Sequence, residues 1–145
     1  MKILQDSKDQ RDLALFALEA VALDTETTGL DPRKARLIEI GAIALAPGQG
    51  DVGETFETFV HADEVPAECT HITGIDVGML KNAPGFPDAL QALQAFVAGR
   101  VVIGHSIGFD LAVLSQECRT HGLPQWRPIA LDTRFLAQIA FPNLP

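Results

Sequence analysis

Apolar residues change their spacing along this 145-residue chain, and the changes mark its elements. Leu13, Phe16 and Ala20 recur at helical intervals behind a charged run that ends at Asp12. They predict an N-terminal helix capped near Asp9 or Asp12. Val21 to Asp24 and Leu37 to Leu45 are β-branched and apolar and read as strands, and Glu54 to Val60 sets Phe56 and Phe59 among polar neighbours as a less regular third. Between the second and third, "APGQGDVG" is a glycine-rich turn signal that suits antiparallel neighbours. Pro66 to Pro87 is punctuated by Gly74, Gly78, Pro84 and Gly85 and predicts a structured loop with a turn of helix.

The second half alternates strand and helix. From Pro87 onward, Leu90, Leu93, Phe96 and Val97 form one apolar stripe that Gly99 ends, the mark of an amphipathic helix. "RVVIGH" is a continuous apolar run of the kind found in strands covered on both faces. "GFDLAVLSQECRTHG" then places Leu111, Leu114 and Cys118 at helical spacing, with Gly122 as the stop. A strand around Ile129 to Leu131 and a helix beginning near Thr133 complete the pattern. Hairpin-linked strands followed by strand and helix predict an α/β chain.

Composition narrows the partners. A hydrophobic content of 47% suffices for one packed core, so a single main domain is expected. The balance of 11 basic against 19 acidic residues, a net charge of -8, argues against a broad electrostatic grip on duplex DNA or a membrane surface. Any nucleic-acid contact must be local. Cys69 and Cys118 lack the spacing of a metal site or a secreted scaffold, and neither a secretory signal nor a long apolar span is visible. A cytoplasmic, reducing environment is the expectation.

Candidate chemistry centres on "ALDTETTGL". In a strand, residues i and i+2 share a face, so Asp24 and Glu26 would stand side by side. Two such carboxylates repel, and keeping both ionised in a half-buried place calls for a cation. Acidic pairs are common in so acidic a chain, and a solvated pair is the plain alternative. The distinguishing context is an apolar run before the pair and Thr27, Thr28 and Gly29 turning the chain after it. Asp110 lies early in a helix beside Val113 and Leu114, where it reads either as a cap or as a third carboxylate turned toward the first two. Gly104 and Gly108 flank His105 and Ser106 and would permit close backbone approach. Three converging carboxylates form an all-oxygen site suited to magnesium or manganese rather than zinc. No phosphate-binding glycine-lysine loop and no serine elbow competes with it. His105 reads as a hydrogen bonder at the core edge and His121 as a helix-end cation.

With these residues in place, the chain resembles the DEDD family of 3′→5′ exonucleases, and most of all its branch of DNA polymerase III epsilon subunits. The resemblance runs through "ALDTETTGLDP", "RLIEIGAIAL", "ITGIDVGMLKNAPGF", "VVIGHSIGFDLAVL" and "LDTRFLAQ" in family order. It implies an α/β, ribonuclease H-like mixed sheet, with three antiparallel strands followed by parallel strands and flanked by helices. Residues 1–20 would be a helical extension and residues 21–145 the exonuclease-like domain. By position, Asp24, Glu26 and Asp110 would be catalytic metal ligands for two divalent ions, Mg2+ or Mn2+. Those ions would activate water and stabilise the leaving 3′-oxygen. Thr27 and Leu30 match positions that meet the terminal nucleotide, and Ile72, Thr73 and Phe109 match the walls of its pocket. The implied partner is the 3′ end of single-stranded DNA or RNA, with a polymerase or further domains of a longer chain beside it and no membrane.

Two departures temper the resemblance. Ser106 stands where the family usually carries asparagine. The family's third block, a histidine or tyrosine base followed by a fourth metal-binding aspartate, is not reached by Pro145. Asp132 in "LDT" reads as a cap for the next helix rather than as that aspartate. The expectation is therefore a C-terminally truncated domain with little activity alone, or else a non-catalytic exonuclease-like module that binds nucleotides or a partner. Trp126 is expected in the core or at a hinge.

Overall fold

The computed structural model describes residues 18–46 and 52–141. Five strands, β1 (Ala20–Thr27), β2 (Leu37–Leu45), β3 (Val52–Phe59), β4 (Val101–Gly104) and β5 (Ala130–Asp132), form one sheet in the order β3-β2-β1-β4-β5. β1, β2 and β3 are antiparallel neighbours, whereas β4 runs parallel to β1 and β5 parallel to β4. Parallel neighbours need crossover connections. The chain supplies α1 (Ala67–Thr73), α2 (Val77–Leu80) and α3 (Phe86–Val97) before β4, α4 (Gly108–Thr120) before β5, and α5 (Thr133–Ala140) after it. This is the mixed α/β sheet that the hairpin-then-crossover pattern implies. Among the described residues no helix is long and apolar enough to cross a membrane.

Alternation along β1 divides the molecule. Val21 and Leu23 point to one face and meet Ile40 and Ala42 of β2, Leu90 and Leu93 of α3, and Val113 and Leu114 of α4 in the main core. Each large side chain buried there contributes roughly 1.5–3 kcal/mol. Ala22, Asp24 and Glu26, one residue out of phase, face the other way. A smaller cluster of Ile38, Ala62, Ile75 and Leu80 holds α2 against the sheet.

Several sequence expectations change in detail. Ala20 opens β1, opposite Leu45 and Val101, instead of ending a helix, because its small buried side chain fills a place between two strands. The rest of the expected N-terminal helix lies outside the described residues, as does the tip of the β2–β3 turn. β1 runs on past Asp24 because Thr25 and Glu26 still find partners in Ile40 and Glu39, and after a register shift Thr27 pairs with Leu37 as its last residue. The stretch from Pro66 to Pro87 holds two helices, not a single turn. α1 ends on Gly74 at φ 77, and α2 starts where the Asp76 carboxylate accepts from the Met79 N–H. β4 is covered fully on one face only, since Ile103 stays partly open. β5 starts at Ala130, one residue later than expected, and Trp126 packs against the main core.

Close approach governs the end of β4. A Cβ placed on Gly104 would stand 2.7 Å from the Leu23 carbonyl oxygen and 2.7 Å from Ile107 Cδ1, and the backbone oxygen cannot yield. Gly108 has no such neighbour, so the close approach expected there is absent. Gly104→Ala should therefore destabilise the chain by about 1–3 kcal/mol, read as a lower urea midpoint, whereas Gly108→Ala should leave that midpoint nearly unchanged.

Candidate active site

The open face of the sheet carries the candidate carboxylates Asp24 and Glu26. Register places Asp24 opposite Gly41 and Glu26 opposite Glu39 on β2, and Gly41 in turn opposite Glu57 on β3. These side chains, with Ile103 and His105 from the end of β4, line a cleft of about 700 Å³. A Cβ on Gly41 would meet only the Asp24 carbonyl oxygen at 4.0 Å, so space alone does not require glycine there. Thr25, between the two carboxylates in sequence, points to the helical side instead. Its hydroxyl donates to Asp110 Oδ1 at 2.6 Å.

Asp110, in the first turn of α4, is 4% exposed. It does not cap its helix, and its carboxylate is committed to β1. Burial pushes its pKa above the ordinary carboxylate value and the negative charge of Asp24 adds to this, while the Thr25 hydroxyl pulls the other way. Glu26 is also raised, first by burial and then by the charges of Asp24 and Asp110. Glu39 is raised by burial and by Glu57 and Glu26. Carboxylates on both sides of β1 thus repel across the strand end. In donor type and charge, Asp24, Glu26 and Asp110 fit a hard divalent cation. Among the described residues, no three His, Cys, Asp or Glu side chains stand ready-made around a metal-sized space.

The other residues singled out by resemblance do not line the cleft. Thr27 donates to the Gly29 carbonyl at 2.8 Å and so shapes the loop after β1. Leu30, on that loop, is 92% exposed. Ile72 on α1 is 83% exposed. Thr73 is turned inward, donating to the Cys69 carbonyl at 2.9 Å and accepting from the Ile75 N–H. Phe109 packs partly buried against the main core.

Sequence reasoning missed the partners. Thr25 was invisible as the clasp of Asp110 because the two are 85 residues apart. Glu39 and Glu57 reach the cleft only through strand register, and their own strands give no hint of it. His105 sits at the cleft edge with Nδ1 3.2 Å from Thr133 Oγ1, a hydrogen bonder as expected. Nδ1 of His121 lies 3.0 Å from the Glu117 carbonyl, at the end of α4. Asp132 caps α5 as expected, accepting from the Arg134 N–H at 2.9 Å, and it also accepts from the Ser106 N–H at 3.1 Å. Ser106 adopts φ 56, a left-handed conformation that asparagine tolerates better than serine. Asp132 thus supports the bend at Ser106, where the resemblance leads one to expect asparagine.

Comparison with known proteins identifies the family and the fold. A family model described as Exonuclease, RNase_T, matches residues 21–145. The chain is 31% identical over 130 residues to the PolC-type DNA polymerase III of Clostridium perfringens, covering 89% of this chain and 9% of that protein. It is 33% identical over 127 residues to the DNA polymerase III subunit epsilon of Treponema pallidum, covering 85% of this chain and 57% of that protein. The chain therefore spans less than two thirds of either relative. In structure it resembles E. coli Exonuclease I in complex with a dT13 oligonucleotide, with a TM-score of 0.71 at 17% identity over 86% of this chain and 30% of that one. The fold is shared at that distance. With the family model covering everything from the first residues of β1 onward, the chain belongs to the RNase_T exonuclease family.

Proposed function

We propose that this chain is a divalent-metal-dependent 3′→5′ exonuclease domain that removes nucleoside 5′-monophosphates from single-stranded DNA ends, with short RNA as the other substrate. The observation that carries the reading is the arrangement at β1: Asp24 and Glu26 on the open face, and Thr25 between them clasping the buried Asp110 from the helical side. A bound pair of magnesium or manganese ions would supply an activated water and a counter-charge for the leaving oxygen. Asp24, Glu26 and Asp110 would hold them. Leu30 and Thr27 would meet the terminal nucleotide, with Ile72, Thr73 and Phe109 near its base. Local engagement of a strand end suits a chain of net charge -8, because a few nucleotides need only a neutralised cleft rather than a basic surface. The relatives are polymerase III proteins, which makes a replicative polymerase the natural partner and the cytoplasm the natural compartment.

A non-catalytic module is the second reading, favoured by the absence of a ready-made three-ligand geometry among the described residues. One experiment separates the two. Single-stranded DNA labelled at its 5′ end and incubated with manganese should shorten from the 3′ end if the enzyme reading holds, slowly with this chain and faster with a longer form that adds a histidine or tyrosine base and a fourth aspartate. Failure of either form to shorten the strand supports the module. For the site itself, Asp24→Ala should weaken manganese binding by at least about tenfold, measured by calorimetry. The same change should leave the metal-free fold as stable or more so, because it removes a repelling charge. A mutant that unfolds yet binds manganese normally would sink the assignment.

The raised pKa values also set a sign for pH. A carboxyl group whose folded pKa is raised contributes stability in its protonated form, present below the unfolded pKa and lost as pH rises through the folded one. Glu26, Glu39 and Asp110 all act in this sense. Asp31 is lowered by its hydrogen bonds to Arg33 and acts oppositely, but it is solvent-facing and its pair is screened. The metal-free chain should therefore lose the contribution of the three raised groups as pH climbs from about 4 toward neutrality. Manganese should offset the loss, so the rise in Tm that it produces should be larger at about pH 7.5 than at about pH 5.

A further inference from the structure

Two charged side chains are fully buried among the described residues, Asp110 and Glu117, and both belong to α4. Glu117 is 2% exposed, and its Oε2 has no hydrogen-bond partner. Its Oε1 accepts from Arg36 Nε at 2.7 Å and from the Leu37 N–H at 3.2 Å. His121 Nδ1 is 3.4 Å from Oε2, but it also lies 3.0 Å from the Glu117 carbonyl, which can only accept. A ring proton on Nδ1 therefore goes to the backbone carbonyl, and Oε2 is left without a partner. A buried carboxylate satisfied on one oxygen is a costly way to fill a core position that a leucine would occupy without penalty. Its effect must lie in what it holds.

Asp110 and Glu117 are seven residues apart, two helical turns, and so share one face of α4. The first is fastened to β1 through Thr25, the second to the start of β2. Arg36 closes the loop between those strands. Its N–H donates to Thr28 Oγ1 at 2.8 Å, and its carbonyl accepts from the Thr28 N–H at 2.9 Å. Leu30 rides on that loop. The two carboxylates thus attach α4 to the sheet at two points two turns apart.

We propose that Glu117 is a positioning residue: by tying α4 to the base of the β1–β2 loop, it sets the depth of Asp110 beneath Asp24 and Glu26 and presents Thr27 and Leu30 to the end of a nucleic-acid strand. The proposal rests on the exonuclease reading above and extends it to a residue that touches neither metal nor substrate. Charge at Glu117 is secondary, and the oxygen that receives Arg36 and Leu37 is what matters.

The test uses the full chain, titrated with manganese by calorimetry with and without thymidine 5′-monophosphate. Glu117→Ala should weaken manganese binding by about tenfold or more, while Glu117→Gln, which keeps an oxygen acceptor, should stay within about threefold of the parent. Arg36→Ala changes a half-exposed side chain and should fall between them, and it decides the matter if Glu117→Ala does not fold. A folded Glu117→Ala or Arg36→Ala with a lowered Tm but unchanged affinity for manganese and the nucleotide would overturn the proposal and leave Glu117 a packing residue. Failure of the site reading looks different: the parent chain would not bind manganese, or Asp110→Asn would bind it as the parent does, and the positioning role would fall with the site.

Discussion

A central strand that carries two carboxylates on one face and clasps a third from the other imposes the tension around which this molecule is arranged. β1 is paired with β4 from Ala20 to Ala22 and with β2 through Asp24 and Glu26, so the register with β2 holds the two carboxylates on one face despite their repulsion. Asp24 and Glu26 are committed to the open face by the burial of Val21 and Leu23 on the other. Shifting β1 by one residue would carry those two into water and the carboxylates into the core. Core packing thereby enforces an electrostatic arrangement that the carboxylates alone would avoid.

The same division explains how helices and cleft communicate. α3 and α4 pack on the apolar face, yet Asp110 and Glu117 both extend polar contacts to the sheet, one to each of the strands that flank the β1–β2 loop. The buried polar groups lie along the line where the helical layer meets the end of β1. Gly104, pressed against the Leu23 carbonyl, belongs to the same junction from the β4 side. Gly104 and the buried hydrogen bonds of Asp110 and Glu117 thus lie where these strands and α4 meet.

Much of this was legible in the chain itself. The span of β2 from Leu37 to Leu45 follows from its run of apolar residues, and α3 and α4 follow from stripes at Leu90, Leu93 and Val97 and at Leu114 and Cys118. The pairing of Asp24 with Glu26 on one face follows from the two-residue period of a strand, which needs no knowledge of neighbours. Less legible were α1 and α2, whose short lengths give periodicity too few turns to register, and the first residue of β1, where Ala20 fits a helix stripe as well as a strand.

By itself, then, the sequence determined the alternation of strand and helix, the side of β1 on which its carboxylates stand, and the motifs that mark its family, because these depend on local periodicity and on residue identity in order. Only the tertiary structure decided that Glu39 and Glu57 join Asp24 and Glu26 in the cleft, that Thr25 receives Asp110, and that Glu117 fastens α4 to Arg36 and Leu37. Those contacts join residues tens of positions apart, and their existence depends on strand register and helix docking, which no local pattern encodes.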